Sequence, residues 1–275
     1  MIPVITRMLN KLRLFYFLVF LLIGSGVKGQ TIELGIAAGG AGYIGDLNQK
    51  QPLKISGISA AAYVKMNLDP YWAVGLHYNY GKIKANDAES DNSQFRDRNI
   101  NFKTSLNEIS LQVDFNFFNY FAGGGTKNFT PYIYTGLGAV FFNPKATYDS
   151  TTYNVRLYKT EGQGSPYKNY TFSILYGIGA KARLKENWGL FTQIGYRTAY
   201  SDYLDDVRGK YPSQSNWPED DSPELRAIRN RLSDPSLSQY GAPGVQRGDL
   251  RKRDTYMFVG IGISYTFVSQ KCYTF

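Results

Sequence analysis

Apolar and polar residues alternate with a period of two in eight segments of the chain, the pattern of a strand that shows different surroundings to its two faces. In the first, Ile32, Leu34, Ile36 and Ala38 share a face opposite Glu33, Gly35, Ala37 and Gly39. The second sets Ile58, Ala60, Ala62, Val64 and Met66 against Tyr63, Lys65 and Asn67, and the third sets Trp72, Val74, Leu76, Tyr78 and Tyr80 against His77 and Asn79. The fourth is the clearest, with Ile109, Leu111, Val113, Phe115 and Phe117 facing away from Glu108, Ser110, Gln112, Asp114 and Asn116. The fifth carries Ile133, Leu137, Ala139 and Phe141, the sixth Phe172 to Leu184 on even numbers, the seventh Trp188, Leu190, Ile194 and Tyr196, and the eighth Met257 to Phe267 on odd numbers. At about 10 to 14 residues these segments match a tilted transmembrane strand of about 9 to 11. Soluble sheets use strands of about 5 or 6.

The connections alternate in length. Long ones occupy the odd places (residues 44–56, 85–104, 143–169 and 201–253) and shorter ones the even places (68–70, 119–129 and 185–187). Transmembrane barrels have short periplasmic turns and longer outside loops. The expected fold is therefore all-β: an eight-stranded antiparallel transmembrane β-barrel of the bacterial outer membrane, with both termini periplasmic. The 23 Tyr and 17 Phe fit that fold, and many fall at strand ends, where amphipathic rings anchor a barrel in the bilayer interfaces. Tyr71, Trp72, Phe117, Phe118, Tyr120, Tyr132, Trp188, Tyr265 and Phe267 are assigned to one girdle, and Tyr78, Tyr80, Phe141, Phe142, Tyr170, Phe172 and Tyr200 to the other.

Arg7, Lys11 and Arg13 precede the apolar run 14–23, and small residues follow up to Gly29. Residues 1–29 are read as a signal peptide and 30–275 as the barrel, with Met8 an alternative start. Loss of Arg7, Lys11, Arg13 and Lys28 lowers the formal charge from +9 to +5. The remaining basic residues are interspersed with acids, which argues against nucleic-acid binding.

Candidate chemistry is sparse. Gly40, Gly42 and Gly45 spell a dinucleotide-binding pattern, but polar residues and Pro52 follow where a helix would be needed, so a strand end and turn is expected. His77, the single histidine, falls mid-strand on the inward face, where it is read as lumen filling rather than a catalytic base. Glu33, Glu108, Asp114, Lys65, Lys181, Arg183 and Arg197 also point inward and are expected to pair with one another. Asp202, Asp205 and Asp206, with Glu219, Asp220 and Asp221, are oxygen ligands suited to calcium, yet they lack EF-hand spacing and are read as a solvated loop. Arg247-Gly248-Asp249 is taken as a chance adhesion tripeptide. No catalytic residue, cofactor or metal site is assigned.

Several phrases, in order along the chain, resemble the PorG-like outer-membrane proteins of the type IX secretion system: residues 33–47 (ELGIAAGGAGYIGDL), 130–146 (TPYIYTGLGAVFFNPKA), 160–164 (TEGQG), 201–207 (SDYLDDV), 246–249 (QRGD) and a cysteine in a short final tail. Residues 212–238 match no such phrase, and removing them is expected to leave the barrel folded. The resemblance implies a non-enzymatic component of a protein-secretion and gliding machine, anchoring a periplasmic ring of a PorK-like lipoprotein and its PorN-like partner to outer-membrane lipid. Partner contacts are then expected at the periplasmic turns and tail, through Asp69, Pro70, Asn119, Tyr120, Lys127, Asn128, Glu186, Asn187 and Cys272. Cys272, the single cysteine, suggests an interchain disulfide in an oxidising compartment; a homodimeric bridge or a thiol without a role are the alternatives. Two other functions stand beside anchoring: ligand or host binding through the long loops, and a lipid-modifying activity through His77.

Overall fold

The computed structural model describes residues 31–268 except 121, 214–216, 237, 239, 240 and 250, so the expected signal peptide and Cys272 lie outside the described residues. The strands are β1 (Thr31–Ile44), β2 (Ile55–Asn67), β3 (Trp72–Asn86), β4 (Asn101–Asn116), β5 (Phe129–Tyr148), β6 (Thr151–Asn154), β7 (Tyr170–Lys185), β8 (Trp188–Ala199) and β9 (Thr255–Phe267). Each barrel strand pairs antiparallel with its neighbours in the order β1-β2-β3-β4-β5-β7-β8-β9, and β9 pairs back onto β1 from Ile32↔Phe267 to Ile44↔Thr255. The eight-stranded barrel is closed. Closure pairs the edge backbone groups that hydrocarbon could not satisfy. Short β6 is additional: it folds back on the end of β5 outside the barrel wall. Among the described residues no helix is long and apolar enough to cross a membrane.

Alternation settles which face looks where. Ile36, Ile58, Leu76, Leu111, Leu137, Phe172, Ile178 and Ile261 stand exposed around the outside, with Phe172 at 74%. An apolar exterior of this extent on a closed barrel is a lipid-facing surface. Trp72, Phe117, Phe118, Trp188 and Phe267 ring the short-turn end, and Tyr78, Phe141, Tyr170 and Tyr200 ring the long-loop end, all exposed. Three expected girdle residues are instead turned inward. Tyr132 and Phe142 occupy even positions of β5, whose odd positions Ile133, Leu137 and Phe141 face lipid, and Tyr120 folds under the barrel.

The interior is filled by two layers. In the half nearer the short turns the filling is polar. Asp114 Oδ2 accepts from Lys65 at 2.6 Å and from Lys181 at 2.9 Å, and Gln112 donates to Oδ1 at 2.7 Å. Glu33 accepts from Tyr63 at 2.6 Å, and Glu108 accepts from Asn79 at 2.9 Å and lies 3.6 Å from Arg197. These pairings match the expectation for five of the seven inward charges, whereas Glu33 is held by the neutral side chains of Tyr63 and Asn67. Arg183 departs from it, because it donates to Asn128 and to the Gly125 carbonyl at the barrel end. His77 is buried and stacks on Tyr63, centroids 4.9 Å apart.

Toward the long loops the filling becomes apolar. Ile83, Phe102, Leu106, Val140, Phe142 and Phe258 pack with Tyr43, Leu204 and Val207 into one buried cluster. On the same strands the outward positions become basic: Lys84 pairs across from Lys103, and Lys103 from Lys145. The inside-out polarity of a membrane strand therefore reverts to that of a soluble protein within β3, β4 and β5. These strands continue past the lipid-facing band, which is why they overrun the segments expected from alternation alone.

Candidate functional site

Two ends of the barrel carry structure beyond the strands. At the short-turn end, the β2–β3 turn is set by Asp69, whose Oδ1 accepts from the amides of Tyr71 and Trp72 at 2.7 Å each, with Pro70 fixing the backbone between. The β4–β5 connection folds across this end. Tyr120 is buried beneath the barrel, and its amide donates to the Pro70 carbonyl at 3.4 Å. Asn116 donates to the same carbonyl at 3.0 Å. Asn119 caps its own loop, accepting from the Lys127 and Thr126 amides at 3.0 and 3.1 Å. Asn128 is held by Arg183, and the Asn187 carbonyl accepts from the Thr266 amide at 2.9 Å. Glu186 turns β7 into β8 with a left-handed φ of 42°.

Eight expected partner residues therefore share one end of the molecule, because the topology delivers all even connections there. They are not equally available. Pro70 and Tyr120 are buried and plug the barrel, whereas Lys127, Asn128 and Glu186 are exposed and Asp69, Asn119 and Asn187 half-buried. The ninth, Cys272, lies outside the described residues; β9 ends at Phe267 beside Ile32, so the chain leaves the barrel at this same end.

The long-loop end is a built cap. A short helix, α1 (Ser93–Arg98), delivers Arg98, which pairs with Asp87 at 2.6 Å and donates to the Arg247 carbonyl at 2.8 Å. Arg247 in turn donates to Glu161 Oε1 at 3.2 Å, the Asp206 carbonyl at 2.6 Å and the Ser233 carbonyl at 3.1 Å. Asp206 accepts from Thr160 at 2.5 Å and from Tyr167 at 2.6 Å. Residues of three phrases noted in the sequence (160–164, 201–207 and 246–249) thus meet in one buried network. A second helix, α2 (Val155–Tyr158), packs against a third, α3 (Pro223–Ser233), which supplies the Ser233 carbonyl.

This arrangement corrects one expectation. Asp202, Asp205 and Asp206 are not a solvated loop but at most 3% exposed, and they stand apart from exposed Glu219 and Asp220. Arg247 is buried, so the adhesion tripeptide is not presented at a surface. Within residues 212–238, α3 packs into the cap and supplies a partner to Arg247. The glycine-rich phrase behaves as a strand end, with a register shift between Ala41 and Gly42.

Burial raises four aspartates of the cap. Asp46 is pushed up to about 9 by burial and the Asp205 charge, and Asp202 to about 7 by burial and Asp249. Burial also raises Asp205 to about 7, opposed by the Tyr43 hydroxyl bond, and Asp206 to about 6, opposed by Arg247. An acid raised in the folded state holds more protons there than when unfolded. Its contribution is therefore present below about pH 4 and lost as pH rises through the folded value. In chelator, the loops should be cut faster at pH 8 than at pH 5, relative to an unfolded substrate of the same protease; equal relative rates would contradict this assignment.

A family model described as a domain of unknown function (DUF6089) matches residues 12–220. The chain belongs to the DUF6089 family. No curated protein matches. Among solved structures, the chain is similar to the N-terminal β-barrel domain of Pseudomonas aeruginosa OprF at 13% identity, covering 86% of this chain and 97% of that one with a TM-score of 0.36. It is similar to Ail, the attachment invasion locus protein of Yersinia pestis, at 10% identity, 86% and 97% coverage and TM-score 0.37. A major outer membrane protein from Thermus thermophilus aligns at 13% identity, 87% and 100% coverage and TM-score 0.41. Closure rests on this chain's own strand register, and its lipid-facing exterior makes it an outer-membrane-type barrel.

Proposed function

We propose that this DUF6089 chain is a non-enzymatic component of the bacterial outer membrane that anchors a periplasmic assembly through its short-turn end. The observation that carries the reading is the tied, plugged short-turn surface beneath a filled interior. The β2–β3 and β4–β5 connections are tied together there through the Pro70 carbonyl, and Arg183 at the end of β7 holds Asn128, so Lys127 and Asn128 are presented on a rigid base beside Glu186. A preorganised surface loses little entropy on binding. His77 is stacked and 2% exposed, which speaks against the lipid-modifying alternative.

The phrases resembling PorG-like proteins make the type IX secretion machine the best candidate for that assembly, with a PorK-like ring lipoprotein and its PorN-like partner as the bound proteins. In this reading both termini are periplasmic, and Cys272 forms a disulfide with another subunit of that assembly. Ligand binding through the long loops is the second reading, favoured by the ordered cap.

Affinity purification from membranes separates the two. The double variant Lys127→Glu/Glu186→Lys should recover several-fold less periplasmic partner from an equally folded barrel, because reversing charges at an interface penalises encounter. Cys272→Ser should remove any reductant-sensitive heavier band on gels. Unchanged partner recovery in the double variant, with loss instead on deleting residues 212–238, would reject anchoring in favour of the surface-ligand reading.

A further inference from the structure

β8, β9 and β1 are neighbours in the sheet, and their long-loop ends are level: Thr198 pairs with Thr255, and Thr255 with Ile44. Just beyond those last pairs stand Asp202, Asp254 and Asp46. One carboxylate oxygen of each lies within 4.8 Å of the other two, and the three residues are between 1% and 3% exposed. The register thus gathers three acids that lie far apart in the sequence.

Their partners do not account for them. Asp254 Oδ2 accepts from the Leu204 amide at 2.9 Å and Asp46 Oδ1 from the Asp249 amide. Among the described residues, however, nothing donates to Asp254 Oδ1 or to either oxygen of Asp202. None of the three forms an ion pair with a described residue, and the nearby guanidinium groups are engaged elsewhere. Arg98 is held by Asp87, Arg247 by Glu161 and Asp206, and Arg251 by Asp249, while Arg208 lies over the Tyr203 ring. Buried carboxylates without a counter-charge are costly, and clusters of them exist where a cation neutralises them.

Glycines let the backbone close in on these carboxylates. A Cβ on Gly45 would stand 2.5 Å from Asp254 Oδ1, and one on Gly248 2.8 Å from Asp46 Oδ1. Gly45 closes the glycine phrase that the sequence offered as a nucleotide motif. Its lack of a side chain lets Asp254 Oδ1 and the Tyr43 hydroxyl lie against the backbone instead.

We propose that Asp46, Asp202 and Asp254 bind a Ca²⁺ ion that fastens the base of the long-loop cap to the rim of the barrel. The donors are all hard oxygens with no histidine or cysteine among them, which selects against zinc and copper. Oxygens this far apart can share one ion, since ligands about 2.3–2.6 Å from Ca²⁺ stand up to about 5 Å from each other. Mg²⁺ holds its ligands at about 2.1 Å in strict octahedra and retains its waters, a poorer fit to a site of three fixed carboxylates.

The test uses the full-length chain purified in detergent, with Tb³⁺ as probe and its luminescence excited through tyrosine; the Tyr43 hydroxyl lies against Gly45 beside Asp254 Oδ1. Saturable luminescence displaced by Ca²⁺ is expected. Affinity in carboxylate sites follows the number of charged ligands, so Asp202→Asn should weaken binding by on the order of tenfold or more. Because no described residue donates to the Asp202 side chain, that variant should fold. Asp220→Asn, an exposed acid on the same loop, should bind like the unaltered chain and so corrects for metal held by co-purified lipid. Absence of saturable binding, or equal binding by Asp202→Asn, would overturn the site. Displacement by Mg²⁺ at the same concentration as Ca²⁺ would overturn the assignment of the ion.

Discussion

Asp114→Ala should be the most damaging single substitution in the barrel wall. Asp114 is fully buried and is the acceptor for both Lys65, at 2.6 Å, and Lys181, at 2.9 Å. Each lysine also lies over a tyrosine ring, Lys65 over Tyr63 and Lys181 over Tyr132, but neither forms an ion pair with another described acid. Removing the carboxylate leaves two ammonium groups in a filled interior, a loss of about 3–5 kcal/mol by comparison with other broken buried pairs. A closed barrel migrates faster unboiled than boiled, so urea titrations read on gels report the folded fraction. The midpoint should fall well below that of the unaltered chain. Replacing the whole group (Lys65→Met, Asp114→Leu, Lys181→Met) should recover most of the loss, because an apolar set of similar volume needs no pairing. A midpoint unmoved in Asp114→Ala would mean that the triad contributes nothing to the fold.

Arg247→Ala should have a comparable effect confined to the cap. Its guanidinium joins Glu161, the Asp206 carbonyl and the Ser233 carbonyl, which lie on three separate stretches of loop. Without it, Glu161 and Asp206 stay buried without their cation, at a cost of about 3–5 kcal/mol. Arg247→Lys should restore little, since an ammonium cannot span the three acceptors that the guanidinium fork reaches. The expected signature is rapid protease cleavage in the long loops of a barrel whose heat-modifiable band is unchanged. Protection equal to that of the unaltered chain would show that the cap does not depend on this residue. Loss of the band itself would show that cap and barrel unfold together.

The two substitutions fall on opposite sides of what could be read in advance. Asp114 was legible: it sits in strict alternation with Ile109 to Phe117, so its inward direction follows from the strand period. Pairing with inward lysines then follows from the cost of burying a charge. Strand number, loop-length alternation and the candidate partner end are legible for the same reason. Each is a local regularity, repeated along the chain, that any closed antiparallel barrel converts into geometry.

Arg247 and the acids of the cap were not legible, because loops carry no period. The bonds Tyr43 to Asp205 and Arg98 to Arg247 span 162 and 149 residues, and only the sheet order brings β1, β8 and β9 side by side at that end. Alternation also could not say where the bilayer stops. It continues unbroken through Lys82, Ile83 and Lys84, and only the packing of Ile83 against Phe102 and Leu106 shows that the inward face has changed from polar to apolar. The sequence by itself determined a closed barrel with a lipid-facing exterior and a polar lumen, because strand period and burial cost act residue by residue. The tertiary structure alone decided that its long loops form a buried cap and that three distant aspartates share one site, because those outcomes depend on which strand ends the closed sheet places together.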